Sequence, residues 1–553
     1  MPSSLPYLCL REIFEFILYD PGLKWHQNNL NNLNLSNLLP SISVCKAWCE
    51  TALPILWRDP FCNYPQEDNA TILLDVYLSS FTLEELYRLN LPSKLIEIYQ
   101  KRRPTYDYAR FLRKMNLTQI KTATSFWLES KRDKVKISND CPIFQSICSH
   151  FVSHAINIKY AAFEPEYDSL IDFNLFSLPG AISSLSNLSE FSCYGESYNI
   201  SLYKQASEIS TKVHDLKISL IHGCPLNSST LIDISNYIRS QRQLERFSID
   251  NRIGCYCCSQ DQDHSLSLDL SIVFKSLSTQ TTTLTHLSFL SIDFHQKFPI
   301  NQLSQSKNLK ALNITRCWNF GEVHSIDLTS DLFTRLSDLR IILSSIPENV
   351  IRILLTGSGS SLRNLEFEQF GIITDILKYC SDNNPNLVNV LVYIDPKEIV
   401  NLPKFLRSST KLCNLELWDK NTPDGRRFSE LYYLMRFVET IDLDEEMFSE
   451  IGDSLPNSLV NLKINMKWNF SAKSLERFIK NCKAPLDSLG FEFCNCFDDE
   501  HFQVLVKNLK RPLRNLNIKH CRANVDSEIR TKNRDMIQQI DSLSRFTCLI
   551  NLA

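Results

Sequence analysis

Hydrophobic positions recur along most of this chain in one spacing: i, i+3 and i+5. Leu309, Leu312 and Ile314 meet it, as do Leu362, Leu365 and Phe367, then Leu387, Val390 and Val392, then Leu412, Leu415 and Leu417. The same template fits windows starting at Leu188, Val213, Leu244, Leu284, Leu336, Val438, Leu459, Leu486 and Leu513, with Cys193 in the last place of the first. From Leu284 onward the starts lie 25, 27, 26, 25, 25, 26, 21, 27 and 27 residues apart; before it the steps are 25, 31 and 40. Side chains alternate across a strand, so i+3 and i+5 point to one face while i+2, i+4 and i+6 point to the other. Each window therefore predicts a short strand with a core side and a display side. Between windows, Ser474 to Lys480 places Leu475, Phe478 and Ile479 at helical spacing, and His501 to Asn508 does the same with Phe502, Leu505 and Val506. A strand plus a helix cannot bury its own apolar face, so the pattern predicts an α/β stack of such units.

The period falls in the 20 to 29 residue range of leucine-rich repeats, which the pattern resembles. Cysteine stands at i+8 in Cys317, Cys494 and Cys521, which resembles the cysteine-containing class of that repeat. A small, weakly hydrogen-bonding side chain suits a tight turn after the strand, so these cysteines read as structural. The longest step holds Gly254, Cys255, Tyr256, Cys257, Cys258 and the polar run Ser259 to Ser265, which predicts an insertion loop. Beyond Leu513, Asp526 to Gln539 is charged and helical in character, and Leu543 to Leu552 reads as an end cap.

The first sixty residues have another texture. Leu5, Leu10, Ile13, Phe14, Ile17 and Leu18 predict an amphipathic helix over Pro6 to Tyr19, with proline near its start. Val44, Trp48 and Ala52, with Ile55, Leu56 and Trp57 after Pro54, predict a second helical set. So small a bundle gains stability by burying its remaining apolar face on a partner. Leu5-Pro6, then Leu10, Glu12, Ile13 and Phe14, then Val44-Cys45-Lys46-x-Trp48, then Leu56-Trp57 resemble the F-box motif, and the run from Trp48 to Phe61 resembles fungal F-box families. The resemblance implies docking to the Skp adaptor of a Skp–cullin–F-box ubiquitin ligase, with the repeats as receptor for a protein target. Carried over by matching position, Leu5, Pro6, Leu10, Ile13, Phe14, Val44, Cys45, Trp48, Leu56 and Trp57 are the candidates for fold and docking. An asparagine-rich stretch between Asp20 and Ser36 departs from the simplest F-box by lengthening the loop after the first helix.

These textures divide the chain into an F-box module (1–62), a helical linker (63–150) and a repeat solenoid with its cap (151–553). In the linker, Thr82 with Glu85 predicts a capping box. The basic run Lys131, Arg132, Lys134 and Lys136 reads as a solvated helix face.

Composition narrows the functions. Twelve glycines in 553 residues leave few places for glycine-lined phosphate loops, and no Walker loop, Gly-x-Ser-x-Gly elbow or His-Glu-x-x-His helix is present. With 59 basic and 62 acidic residues, the net charge of −3 gives no general pull toward nucleic acid or anionic membrane. The absence of a signal-like start and of a long apolar run predicts a soluble cytoplasmic or nuclear protein, in which the 19 cysteines stay reduced. Cys255, Cys257, Cys258 and His264 lack the paired spacing of a zinc site, so neither metal nor cofactor is expected.

Substrate hints come from the display positions. Asn364, Asn389, Asn414, Asn461 and Asn515 all fall at i+2 and predict a polar ladder. Glu366, Glu368, Glu416, Asp442 and Asp444 give the middle repeats an acidic face suited to a basic target segment, while Tyr393 and Trp418 at i+6 offer aromatic anchors. The expected function is non-catalytic: a receptor that contributes proximity, or alternatively an interaction scaffold or inhibitor outside ubiquitination.

Overall fold

A computed structural model describes residues 7–18, 38–62, 67–131, 141–163, 173–195, 202–220, 228–251, 270–295, 298–300, 303, 305–321, 332–368, 375–419, 440–492, 494, 496–509 and 513–519. The chain divides into two compact units, Met1–Gln280 and Thr281–Ala553. The cluster at Cys255 to His264, most of the basic run after Lys131, the asparagine-rich loop, Cys521 and the end-cap segments lie outside the described residues.

The first unit opens with helices Tyr7–Leu18, Lys46–Leu56, Glu67–Leu78, Leu83–Arg88 and Ser93–Lys101. Five strands follow: β1 (Lys114–Asn116), β2 (Tyr160–Ala162), β3 (Glu190–Gly195), β4 (Asp215–Leu220) and β5 (Arg246–Asp250). Each pairs in parallel with the next, so that Phe191, Leu216 and Phe247 share one register row. Thr82 accepts from the Glu85 N–H at 3.2 Å while the Glu85 carboxylate accepts from the Thr82 N–H at 2.7 Å, completing the expected capping box. One feature of the 63–150 stretch differs from a purely helical linker, because it contains β1. Met115 is the single buried residue of that three-residue strand, too short to present the i, i+3, i+5 pattern.

The second unit carries β6 (His286–Leu290), β7 (Ala311–Thr315), β8 (Asp338–Ile342), β9 (Asn364–Glu368), β10 (Asn389–Ile394), β11 (Asn414–Asp419), β12 (Ile441–Asp442), β13 (Asn461–Asn465), β14 (Trp468–Asn469), β15 (Ser488–Glu492) and β16 (Asn515–Lys519). The main sheet runs β6 to β11, then β13, β15 and β16, all parallel. Strands start two residues after the window leucines, and the i, i+3 and i+5 side chains are buried, as with Leu309, Leu312 and Ile314 at 1% exposure or less. Parallel strands joined by helices at this period make an α/β leucine-rich-repeat fold.

The Val438 window is a correction. Ile441 and Asp442 form β12, which pairs only with β14 among the described residues, while β11 pairs directly with β13. A step of 47 residues therefore separates consecutive rungs Asn414 and Asn461. Lys467 and Asn469 supply the backbone carbonyls that receive the Ile441 and Leu443 N–H groups, so the segment is tied to the turn after β13 rather than to the main sheet.

The turn after each strand explains the cysteines. Ser291, Arg316 and Leu343, all at i+7, have φ between 48° and 55°, a left-handed bend that turns i+8 back inside. There the Cys317 thiol donates to the carbonyls of Thr315 (3.4 Å) and Phe289 (3.6 Å), and the Cys494 thiol donates to Met466 (3.5 Å). Ser344 occupies the same place in its repeat, donating to Ile342 O at 2.9 Å and accepting the Cys317 N–H at 3.0 Å. Burial pushes the Cys317 thiol up to about 12 and raises those of Cys148 and Cys380 as well. In native protein, a maleimide pulse read by peptide mass mapping is expected to label exposed Cys9 and Cys45 and to spare Cys148, Cys317 and Cys380 until denaturant is added. Equal labelling would contradict the structural role.

Helices pack closely behind this sheet. At Gly452, a Cβ would stand 2.6 Å from the Phe478 carbonyl, so glycine is what lets helix Glu445–Ser454 approach helix Ala472–Asn481, where Phe448 stacks on Phe478 at 4.8 Å.

Candidate interaction surfaces

Helix Tyr7–Leu18 is apolar on more than one side. Leu10 and Phe14 join Leu38, Ala52 and Ile55 in a small core, with Ile17, Ile42, Trp48 and Leu56 packed against it. Phe14 meets Trp48 edge-on at 5.3 Å. Trp57 stacks on Tyr108 at 4.0 Å and meets Tyr77 edge-on at 5.5 Å. Of the motif residues, then, Leu10, Phe14, Trp48, Leu56 and Trp57 hold the module together. Ile13, Val44 and Cys45 are exposed, while Leu5 and Pro6 lie outside the described residues.

Four further apolar side chains share that exposure: Tyr7, Leu8, Leu39 and Phe16, the last at 71%. Sequence reading did not single them out, although the signal was present. Once Leu10, Phe14 and Ile17 are assigned inward, Leu8, Ile13 and Phe16 remain on the other sides of the same helix.

The module is fastened to the sheet of the first unit by backbone as well as by side chains. Arg58 donates to Glu15 at 2.8 Å, and its carbonyl accepts the N–H groups of Arg113 and Lys114, each at 2.9 Å. The Arg113 carbonyl accepts from Lys159 and Tyr160 in the same manner, and Lys159 O from Ser189 and Glu190. Arg58 thus occupies the place of a rung ahead of β1.

In the second unit the open face of the sheet forms a groove of about 690 Å³. Along one edge the i+2 residues make the expected ladder: Asn389 donates to Asn364 at 2.6 Å, Asn414 to Asn389, and Asn461 to Asn414, while Asn364 ends the chain on the Asp338 carboxylate. Asn515 stands apart from it, because Ser488 fills the intervening rung.

The i+4 row differs from the acidic face expected. Glu366 pairs with Arg340 at 3.0 Å, and Glu416 with Lys463 at 3.2 Å, so cations one strand away neutralise both carboxylates. Asp444 caps helix Glu445–Ser454 by accepting the Met447 N–H at 2.7 Å, and Asp442 accepts from Asn469 at 2.6 Å on the separate β12–β14 pair. Glu368 is half-buried at the end of β9. Tyr393 and Trp418, expected as exposed anchors, are buried at 7% and 3%. Their rings stack at 5.5 Å, the Trp418 indole N–H donates to Glu416 at 2.8 Å, and the Lys463 ammonium lies 5.1 Å over the indole. Both rings are therefore structural rather than anchors for a target.

One cluster has the order of an acyl-transfer triad. Ser80 Oγ lies 3.1 Å from His150 Nε2, and Glu85 Oε1 lies 3.6 Å from His150 Nδ1. The Ser80 hydroxyl donates to Tyr77 O at 2.6 Å, and His150 is buried and stacked on Phe81 at 4.5 Å. Burial lowers the imidazole pKa against the pull of Glu85. The geometry ties helix Cys141–His154 to its neighbours: the Ser80 hydroxyl proton goes to Tyr77 O, and the hydroxyl oxygen faces the imidazole as an acceptor. No group of metal-ligating side chains occurs among the described residues, and none of the described helices is long and apolar enough to cross a membrane.

Comparison with known proteins returns no matching family model and no matching curated protein. Among solved structures, similarity extends to the crystal structure of the Rad7 and Elc1 complex in yeast, at 16% identity over 55% of this chain and 74% of that one, TM-score 0.30. It extends also to the leucine-rich repeat-containing protein LegL7 from Legionella pneumophila, at 12% identity over 71% and 98%, TM-score 0.26. Scores this low support no structural or functional conclusion. The repeat fold rests on the register of the strands.

Proposed function

We propose that this protein is a substrate-recognition subunit of a Skp–cullin–F-box ubiquitin ligase, its N-terminal helices docking the Skp adaptor and its repeats holding a protein target. The observation that carries it is the apolar exposure of Tyr7, Leu8, Ile13 and Phe16 on one short helix, together with that of Leu39 and Val44. A module this small has no internal use for those side chains, whereas a partner burying Leu8 and Phe16 would gain roughly 1.5 to 3 kcal/mol from each. The motif residues that turn inward build the platform, and the exposed ones meet the adaptor. In this role the chain supplies proximity and no catalytic group, works in the cytoplasm or nucleus, and needs no cofactor.

The test is co-purification with the Skp adaptor. Wild type is expected to bind stoichiometrically, and Leu8→Asp with Phe16→Asp to lose at least a hundredfold in affinity while keeping its circular dichroism and melting temperature. Phe14→Leu, which perturbs only the core, should still bind. Failure of folded wild type to bind would end the ligase reading.

A further inference from the structure

We infer that the groove of the second unit takes an α-helix of its partner, laid across the strands with one helical turn on each strand. The inference deepens the receptor reading by naming the form of the target segment, and it rests on three features of the face.

The first is spacing. Strands in a sheet lie about 4.8 Å apart, and a helix advances about 5.4 Å per turn. Over the four intervals from Asp338 to Asn461, one side chain per turn drifts from one rung per strand by less than about 3 Å. An extended peptide repeats a face about every 6.7 Å and drifts by about 8 Å over the same span, well over one strand. Only the helix keeps its contacts in step with the rungs.

The second is the i+4 row, which reads Arg340, Glu366, Leu391, Glu416, Lys463 in register across β8, β9, β10, β11 and β13. It is symmetric about an apolar centre, with carboxylates inside and cations outside. Its complement is a stripe on one helix face: apolar at the middle, basic one turn to either side, acidic two turns to either side. Ion pairs within the row leave no net charge, so a uniformly basic segment gains little here, while this alternating stripe meets an opposite charge at every turn but the apolar middle one. Gly490 keeps the far end open, since a Cβ there would stand 3.1 Å from Lys463 Cγ.

The third is the amide ladder. Each of Asn364, Asn389 and Asn414 spends one N–H and one carbonyl lone pair on its neighbours, which leaves one of each for the groove. A helix satisfies its own backbone, so these groups meet polar side chains along the flank of the stripe.

The probe is a fluorescein-labelled alanine-rich peptide of about 16 residues, helical by circular dichroism, carrying the acidic-basic-leucine-basic-acidic stripe with glutamine beside it. Its binding to the full chain is read by anisotropy. Micromolar binding is expected, weakened at least tenfold when the same residues are reordered to break the stripe and at least tenfold by Leu391→Asp. The double variant Arg340→Glu with Glu366→Arg keeps the internal pair but reverses its order. It should reject the original peptide and accept one with the charges on that side exchanged. Equal binding of both peptides to wild type and the swapped variant, no binding to folded wild type, or tighter binding by a proline-containing extended peptide with the same side chains would each overturn the inference. Adaptor co-purification is scored on the same preparations. Peptide binding without adaptor binding removes the ligase role and keeps the groove; adaptor binding without peptide binding does the reverse.

Discussion

Asp75→Ala is expected to destabilise the N-terminal unit by about 2 to 4 kcal/mol in urea unfolding. One carboxylate oxygen of Asp75 accepts both the Tyr99 hydroxyl and the Trp127 indole N–H at 2.7 Å, and the other receives the Lys131 ammonium at 3.0 Å. Tyr99 and Trp127 are 2% and 0% exposed, so removal of the acceptor strands two buried donors at about 1 to 3 kcal/mol each. Three helices, Glu67–Leu78, Ser93–Lys101 and Leu117–Ser130, lose their common tie. Asp75→Asn keeps one acceptor oxygen and should cost less than half as much. A loss under 1 kcal/mol for the alanine variant would show that the network adds nothing to packing.

The second large effect has the opposite sign. Glu398 is 3% exposed, and burial pushes its carboxyl up to about 7, although the Leu377 N–H reaches one of its oxygens at 3.5 Å. Because the folded state holds this proton more tightly than the unfolded chain, stability is highest below about pH 4.5 for this group. It falls as pH rises toward 7 and is level above that. Glu398→Gln removes the ionisation, so the variant should gain up to about 3 kcal/mol over wild type at pH 8 and near nothing at pH 4.5. A pH-independent difference between the two would place the effect in packing instead.

The strand framework was legible because its signal is local. Core residues at i+3 and i+5 sit within one short strand, and the windows from Leu188 to Leu513 locate β3 to β11, β13, β15 and β16. Two strands escaped because β1 and β2 are three residues long, and Ala161 and Ala162 carry little apolar signal. Val438 misled because Ile441 and Leu443 satisfy the template while their hydrogen bonds go to Lys467 and Asn469, a fact of tertiary pairing.

The site was only half legible for the same reason. The asparagine ladder appears in sequence because every rung contributes the same residue at the same position. The neutralisation of Glu366 and Glu416 does not, since their partners come from repeats 26 and 47 residues away and depend on the register of neighbouring strands. Tyr393 and Trp418 were read as exposed by strict alternation, which fails at the ends of β10 and β11, where three successive residues are buried. On the N-terminal helix the apolar spacing located the helix, while the division between inward and outward residues required the packing of Phe14 on Trp48.

The Arg58 rung has a consequence for self-association. A sheet ends in a strand whose backbone groups invite another chain, and β1 would be such a strand without the two hydrogen bonds that Arg58 O supplies. The helices that carry the proposed adaptor surface therefore also serve as a stopper for the sheet. Proteolytic loss of the module would do more than remove the proposed docking surface. It would uncover a templating edge, and fragments would be drawn to pair end to end.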